Sequence, residues 1–222
     1  MMQVSPSLKR LLIINPNTST SVTNKLVAYA QAQLPSSITI DAVTASFGAP
    51  YIVDEPTFAI AQEATIEAWT RALESNQPTS ILIACFGDPG LLVLRRRSHV
   101  PVTGLAQASF QVAAKHGRFA VVTGGAPWKP ILQDLAQRLG WRQQLAGIET
   151  VALNGAQLAA DPAGARELLS AACQHAADIY QADTVILGGA GLAGVAAQIQ
   201  TLVSVPLIDS VSAGIQVATQ SK

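Results

Sequence analysis

The chain repeats itself, and this limits its architecture more than any other feature. Ile81-Leu-Ile-Ala-Cys85 aligns with Val185-Ile-Leu-Gly-Gly189 at an offset of 104 residues. Pro101, in Val-Pro-Val, follows Cys85 by sixteen residues, and Pro206, in Val-Pro-Leu, follows Gly189 by seventeen. Ile14-Asn15 matches Val122-Thr123 in the same way. Short apolar runs bounded by turn residues read as strands buried on both faces. Where such runs alternate with helical stretches, they build parallel sheets with crossover helices. The duplication therefore predicts an α/β fold of two pseudo-symmetric lobes, each a four-stranded parallel sheet flanked by helices. The first lobe is expected at 1–105 plus 210–222, with the C-terminal helix crossing back, and the second at 106–209. Ligand crevices of such sheets lie at the carboxyl ends of the strands, so Cys85 and Gly189 should face each other across an inter-lobe cleft.

In chain order, strands are expected at 8–14, 38–44, 80–84 and 100–104, and again at 118–123, 149–153, 184–187 and 205–208. Helices are expected up to about 34 and at 58–75, 91–97, 105–116, 128–139, 161–180, 192–202 and 211–219. Asp161 and Pro162 form a cap followed by a first-position proline.

Composition removes several classes of function. Formal net charge is 0 over 222 residues, which argues against nucleic acid or a polybasic membrane surface as a partner. Two cysteines make no disulfide framework, and the three histidines are scattered, so no metal cluster is legible. The apolar run 11–14 is too short for a signal peptide, and no membrane span is evident. The default is a cytoplasmic protein.

The candidate chemistry centres on Cys85, followed by the turn Phe86-Gly-Asp-Pro-Gly90. A thiol at a strand end beside a helix start is expected to be partly accessible and to have a lowered pKa. The alternative is a small buried hydrophobe. Asp88 reads as a helix cap rather than an acid, because a negative charge would oppose thiolate formation. The polar run Asn15-Pro-Asn-Thr-Ser-Thr20 is either a well-capped connector or a polar floor at a strand end. Thr44 and the loop from Phe47 to Tyr51 read as cover over the cleft that helps select the substrate. Arg95, Arg96 and Arg97 read as a solvated helix end, and Trp69, Trp128 and Trp141 as core or interface.

Three stretches resemble the aspartate/glutamate/hydantoin racemase superfamily, in particular its hydantoin and allantoin racemase branch. They are Ile14-Asn-Pro-Asn-Thr18, Ala84-Cys-Phe-Gly-Asp-Pro-Gly90, and Leu187-Gly-Gly-Ala-Gly-Leu-Ala-Gly194 followed by Val205-Pro-Leu-Ile-Asp209. The resemblance implies a cofactor-independent racemase or epimerase. In such enzymes one thiol removes the proton beside a carbonyl and a second thiol protonates the opposite face. It implies Cys85 as catalytic residue, with Asn15, Thr44, Phe86, Gly87 and Thr123 of the cleft, and Gly189, Ala190 and Gly191 of the second turn, around a hydantoin-like or amino-acid-like substrate. It implies no metal or other cofactor and a homo-oligomer. The enolate-like anion would be met by backbone N–H groups at two helix starts, with the Asn15 and Thr123 side chains.

The chain departs from that pattern at the second thiol, because Gly189 stands where the branch has cysteine. Cys173, the other cysteine, reads as structural. Gln107 stands where many relatives have glutamate. Two further readings stay open. One is a single-cysteine lyase or isomerase resembling arylmalonate decarboxylase, with the thiol on the opposite lobe. The other is a binding protein that kept the cleft and lost the chemistry.

Overall fold

The computed structural model describes residues 9–220. Residues 1–8 and 221–222, which include Leu8 of the first expected strand and both ends of the expected first lobe, lie outside the described residues. The first sheet contains β1 (Lys9–Asn15), β2 (Ile38–Thr44), β3 (Ser80–Ile83) and β4 (Val102–Gly104), in the order β2-β1-β3-β4. The second contains β5 (Phe119–Gly124), β6 (Leu145–Val151), β7 (Thr184–Gly188) and β8 (Leu207–Asp209), in the order β6-β5-β7-β8. Every pairing in both sheets is parallel. Central strands of a covered parallel sheet are buried on both faces, so they show no alternation. Leu11 to Ile14, Ile81 to Ile83 and Val185 to Leu187 are buried without a break.

Helices α1 (Thr20–Gln33), α2 (Glu55–Leu73), α3 (Leu91–Arg97) and α4 (Leu105–Ala113) follow the strands of the first half. The second half has α5 (Trp128–Arg138), α6 (Gly155–Ala160), α7 (Pro162–Tyr180), α8 (Val195–Ile199) and α9 (Ser210–Gln220). Helix α2 starts three residues earlier than its apolar pattern suggests. Asp54 accepts from the Thr57 N–H while the Thr57 side chain returns to the Asp54 backbone, a reciprocal cap that fixes the start. Asp161 caps α7 with Pro162 behind it, as the sequence predicts. The short α6 has no apolar periodicity and is held by its own cap at Asn154. The expected helix 192–202 is instead a 3₁₀ turn, the short α8 and a second 3₁₀ turn, broken by Gly194 in the left-handed region.

Two helices join the halves. Helix α9 returns to pack on β3 and β4 of the first sheet and along α4. Helix α4 packs on α9, β7 and β4. Leu11, Leu82, Leu105 and Phe110 therefore share one core with Phe119, Val121, Ile186 and Ile215. The Phe110 and Phe119 rings stack at 5.4 Å. This common core holds the carboxyl ends of β3 and β7 opposite each other. No helix among the described residues is long and apolar enough to cross a membrane.

Candidate active site

The strand-end turns after β3 and β7 meet across one cavity of about 100 Å³. Ala84, Cys85 and Phe86 line it from the first turn, and Gly188, Gly189, Ala190 and Gly191 from the second. Asn17, Val22 and Lys25 contribute from the β1–α1 loop and α1, and Tyr51, Ile52 and Val53 from the loop before α2. Thr123, Gly124 and Trp128 complete the floor, and Gly155 and Leu158 of α6 close the second-lobe side. Phe86 reaches across the cleft and packs against Gly188.

Of the residues expected at the site, Cys85, Phe86, Thr123, Gly189, Ala190 and Gly191 therefore share one wall-to-wall cavity. Asn15, Thr44 and Gly87 lie behind or beside it. Asn15 is fully buried, and its amide N–H2 donates to Asn17 Oδ1, the Ser19 carbonyl and Thr23 Oγ1. The Thr44 hydroxyl, in register with Asn15, sits 2.7 Å from that of Thr23. Together they form a polar seat that fixes the loop carrying Asn17. Gly87 lines a separate groove of about 610 Å³ among α2, α3 and α5. The Thr123 hydroxyl donates to the Gly188 carbonyl at 2.9 Å. Neither Asn15 nor Thr123 thus has a proton free for an enolate oxygen, contrary to the expectation from sequence.

The environment of the thiol also differs from that expectation. Cys85 is only 8% exposed, and α3 begins six residues later, capped by Gly90 in the left-handed conformation. Burial pushes the Cys85 thiol up, and the Asp88 carboxylate pushes it further, so the resting group is a protonated thiol rather than a thiolate. Asp88 is a cap, but of α4 rather than α3. Its two oxygens accept from the Ala106 N–H at 2.9 Å and the Gln107 N–H at 2.7 Å. Burial raises the Asp88 carboxyl to about 7, while those N–H groups and the Arg95 guanidinium pull it back. Arg95, Arg96 and Arg97 form an exposed helix end, as the sequence suggests, but Arg95 also donates to the Val102 carbonyl and to Gln107 Oε1, both at 2.9 Å. Gln107 is therefore occupied in this support and does not line the cavity. Cys173 is fully buried in the second-lobe core with Leu169, Ala177 and Val185, and burial pushes its thiol up to about 12.

Gly189 has φ 149 and ψ 130, a backbone region that L side chains rarely adopt. Cys85, its pseudo-equivalent, is not among the residues with positive φ. The duplication thus breaks at the position where a second thiol would stand. Among the lining residues the titratable side chains are Lys25, Tyr51 and Cys85, all from the first lobe. Lys25 was not singled out from sequence, Asn17 was read only as part of the polar run 15–20, and Trp128 was read as core or interface, which its burial matches, rather than as a lining residue. The usable signals were the second asparagine of Asn15-Pro-Asn17 and a lone charge in α1 one turn after Val22. Among the described residues no group of three His, Cys, Asp or Glu side chains could hold a metal ion.

A doubled α/β unit with a cavity between its two strand-end turns, one of them carrying a thiol, defines a racemase-like two-lobed enzyme. Residues 11–218 match the family described as Asp/Glu/Hydantoin racemase, and the chain belongs to that family. It is 32% identical over 210 residues to hydantoin racemase of Paenarthrobacter aurescens, covering 94% of this chain and 89% of the relative. The structure of allantoin racemase from Klebsiella pneumoniae superposes with a TM-score of 0.87 at 32% identity, covering 95% of this chain and 86% of that one. A liganded double mutant of arylmalonate decarboxylase shares the fold at 15% identity, with a TM-score of 0.72 over 96% of this chain and 92% of that one.

Proposed function

We propose that the protein transfers a proton at a carbon beside a carbonyl of a small hydantoin-like or amino-acid-like molecule. Cys85 carries that proton, on one face of the substrate and without a cofactor. The observation that carries this reading is the pairing of Cys85 with Gly189 across one cavity. The family and the hydantoin and allantoin racemase relatives supply the chemical class. In the forward step the Cys85 thiol first gives up its own proton to water; the substrate C–H bond then breaks, its electron pair moves onto the carbonyl oxygen, and the proton passes to the thiolate sulfur. The reverse step returns a proton to the same face. Inversion needs a donor on the other face, and no second-lobe lining residue has a titratable side chain. A thiol in this role has to stay reduced, which suits the cytoplasm.

The protonated resting state of Cys85 favours a second reading, a single-thiol lyase. There, loss of carbon dioxide from a dicarboxylate generates the enolate, and Cys85 only donates its proton. A substrate panel in heavy water with chiral analysis separates the two. Exchange of the ring C–H of one hydantoin enantiomer, well ahead of inversion, supports the first reading. Decarboxylation of a substituted malonate with no hydantoin exchange supports the second. Cys85→Ser should abolish either activity, because a hydroxyl is a far weaker acid than a thiol. Wild-type protein that exchanges and inverts a hydantoin at equal rates would refute one-face chemistry.

A further inference from the structure

Two polar side chains of the Cys85 cavity, those of Lys25 and Asn17, have donors that nothing among the described residues engages. Lys25 is the sole charged residue of α1, one turn along from Val22, and both line the cavity. No ion pair or hydrogen bond engages it among the described residues. No acidic residue lines the cavity. The acids on flanking elements are occupied: Asp54 caps α2 through Thr57, and Asp209 accepts from the N–H groups of Gly194, Val211 and Ser212.

Asn17 supplies the second, independent observation. It lines the same cavity and is only 8% exposed. Its Oδ1 accepts from the Asn15 amide and from the Ser19 N–H, both at 2.9 Å. Two donors converging on one atom fix which end of the amide is oxygen, so the remaining N–H2 is the group left for the cavity. That N–H2 has no hydrogen-bond partner among the described residues. It is not sealed from solvent, so it is free to donate to a group that enters the cavity.

We infer that Lys25 and Asn17 together bind a carboxylate on the substrate, so that the enzyme prefers substrates carrying an anionic substituent. The inference rests on the Cys85 cavity being the substrate site and names the class of molecule that enters it. A carboxylate offers only acceptors. It is matched by an ammonium and by an amide whose oxygen is already taken. A neutral alkyl group in the same place would make neither of these charge-assisted and hydrogen-bonding contacts. Val22, Ile52 and Leu158 provide apolar contact for the remainder of the ligand.

Two ligands of similar length test this: a carboxyethyl-substituted hydantoin and its neutral propyl-substituted counterpart. Ring C–H exchange in heavy water, followed by proton NMR, gives kcat and KM for each, and calorimetric titration gives Kd. Wild-type protein should favour the anionic ligand by about 10- to 100-fold in kcat/KM, expressed mainly in KM. The preference should shrink as salt is added. Lys25→Gln should bring the ratio close to one, Lys25→Arg should keep most of it, and Asn17→Ala should lower it in part. Equal use of the two ligands by wild type, or a Lys25→Gln variant impaired alike on both, would overturn the inference. If neither hydantoin exchanges, the proton-transfer reading fails, and calorimetry decides the binding question alone. Anion binding that Lys25→Gln loses upholds the pair, whereas equal or absent binding by wild type overturns it.

Discussion

Placing a thiol at Gly189 tests both the one-face chemistry and the backbone that accompanies it. A non-glycine residue held at φ 149 and ψ 130 costs about 1–3 kcal/mol. The new Cβ would also stand 3.3 Å from Cδ1 and Cγ of Leu192. That contact is tighter than ordinary packing, and relieving it costs roughly a further 1 kcal/mol. A loss of about 2–4 kcal/mol corresponds to a fall in Tm of roughly 4–16 °C for a domain of this size. Gly189→Ala carries the same backbone strain without the thiol, so the two variants should melt together, well below wild type. Only Gly189→Cys puts an S–H opposite Cys85. In heavy water with chiral chromatography, its ratio of inversion to exchange should exceed that of Gly189→Ala by about 100-fold or more, the usual contribution of one positioned acid. If Gly189→Ala melts with wild type, the backbone argument is wrong. If the cysteine variant is folded and exchanges substrate but inverts no faster than the alanine variant, a thiol at this position does not serve the opposite face.

Two further outcomes follow from the surroundings of Cys85. Burial and Asp88 both hold the thiol protonated, and Asp88 gains charge as pH rises through about 7, which raises the thiol further. Alkylation of Cys85 in the ligand-free protein, followed by mass spectrometry, should therefore stay at least about tenfold slower than a free thiol between pH 6 and 9, and a titration midpoint below 8.5 would contradict this. Gly104→Ala would drive a Cβ into the Asp88 carboxylate, so either the cap of α4 or the Cys85 turn has to move. Its unfolding midpoint in urea should fall by an amount worth about 3 kcal/mol or more, and a wild-type midpoint would show that this contact is not close.

The duplication made most of the fold legible, because strand burial and strand-helix alternation are local signals that repeat. The 104-residue offset correctly brought Cys85 and Gly189 to facing turns. The environment of the thiol was not legible. Its dominant neighbour is the Asp88 carboxylate, whose hydrogen-bond partners at Ala106 and Gln107 lie eighteen and nineteen residues away. Sequence proximity pointed Asp88 at α3 instead, and it placed a helix start at Cys85 that the intervening turn moves to Leu91. Asn15 and Thr44 show a related failure. Their residue types suit a ligand, but parallel register places them next to each other and to Thr23, and their hydrogen bonds are spent there. Lys25 was missed, and Trp128 was read as core or interface without its place at the cavity, because helix faces reveal which residues meet a cleft only once the opposing lobe is in place.

The two lobes solve one capping problem with different parts of the chain. Gly104 aligns with Asp209 at an offset of 105 residues, and Ala106 and Gln107 align with Val211 and Ser212. In the second lobe Asp209, at the end of β8, accepts from the N–H groups of Val211 and Ser212 at the start of α9. In the first lobe the equivalent residue is Gly104, and the carboxylate comes from Asp88, with φ 56, on the Cys85 turn. Each carboxylate satisfies free N–H groups at a helix start, and the helix dipole favours it there. Only the first-lobe carboxylate, however, shares a turn with the thiol. The same group that fastens this turn to α4 also keeps Cys85 protonated. Because α4 packs on β7, the position of that carboxylate depends on how the second lobe sits.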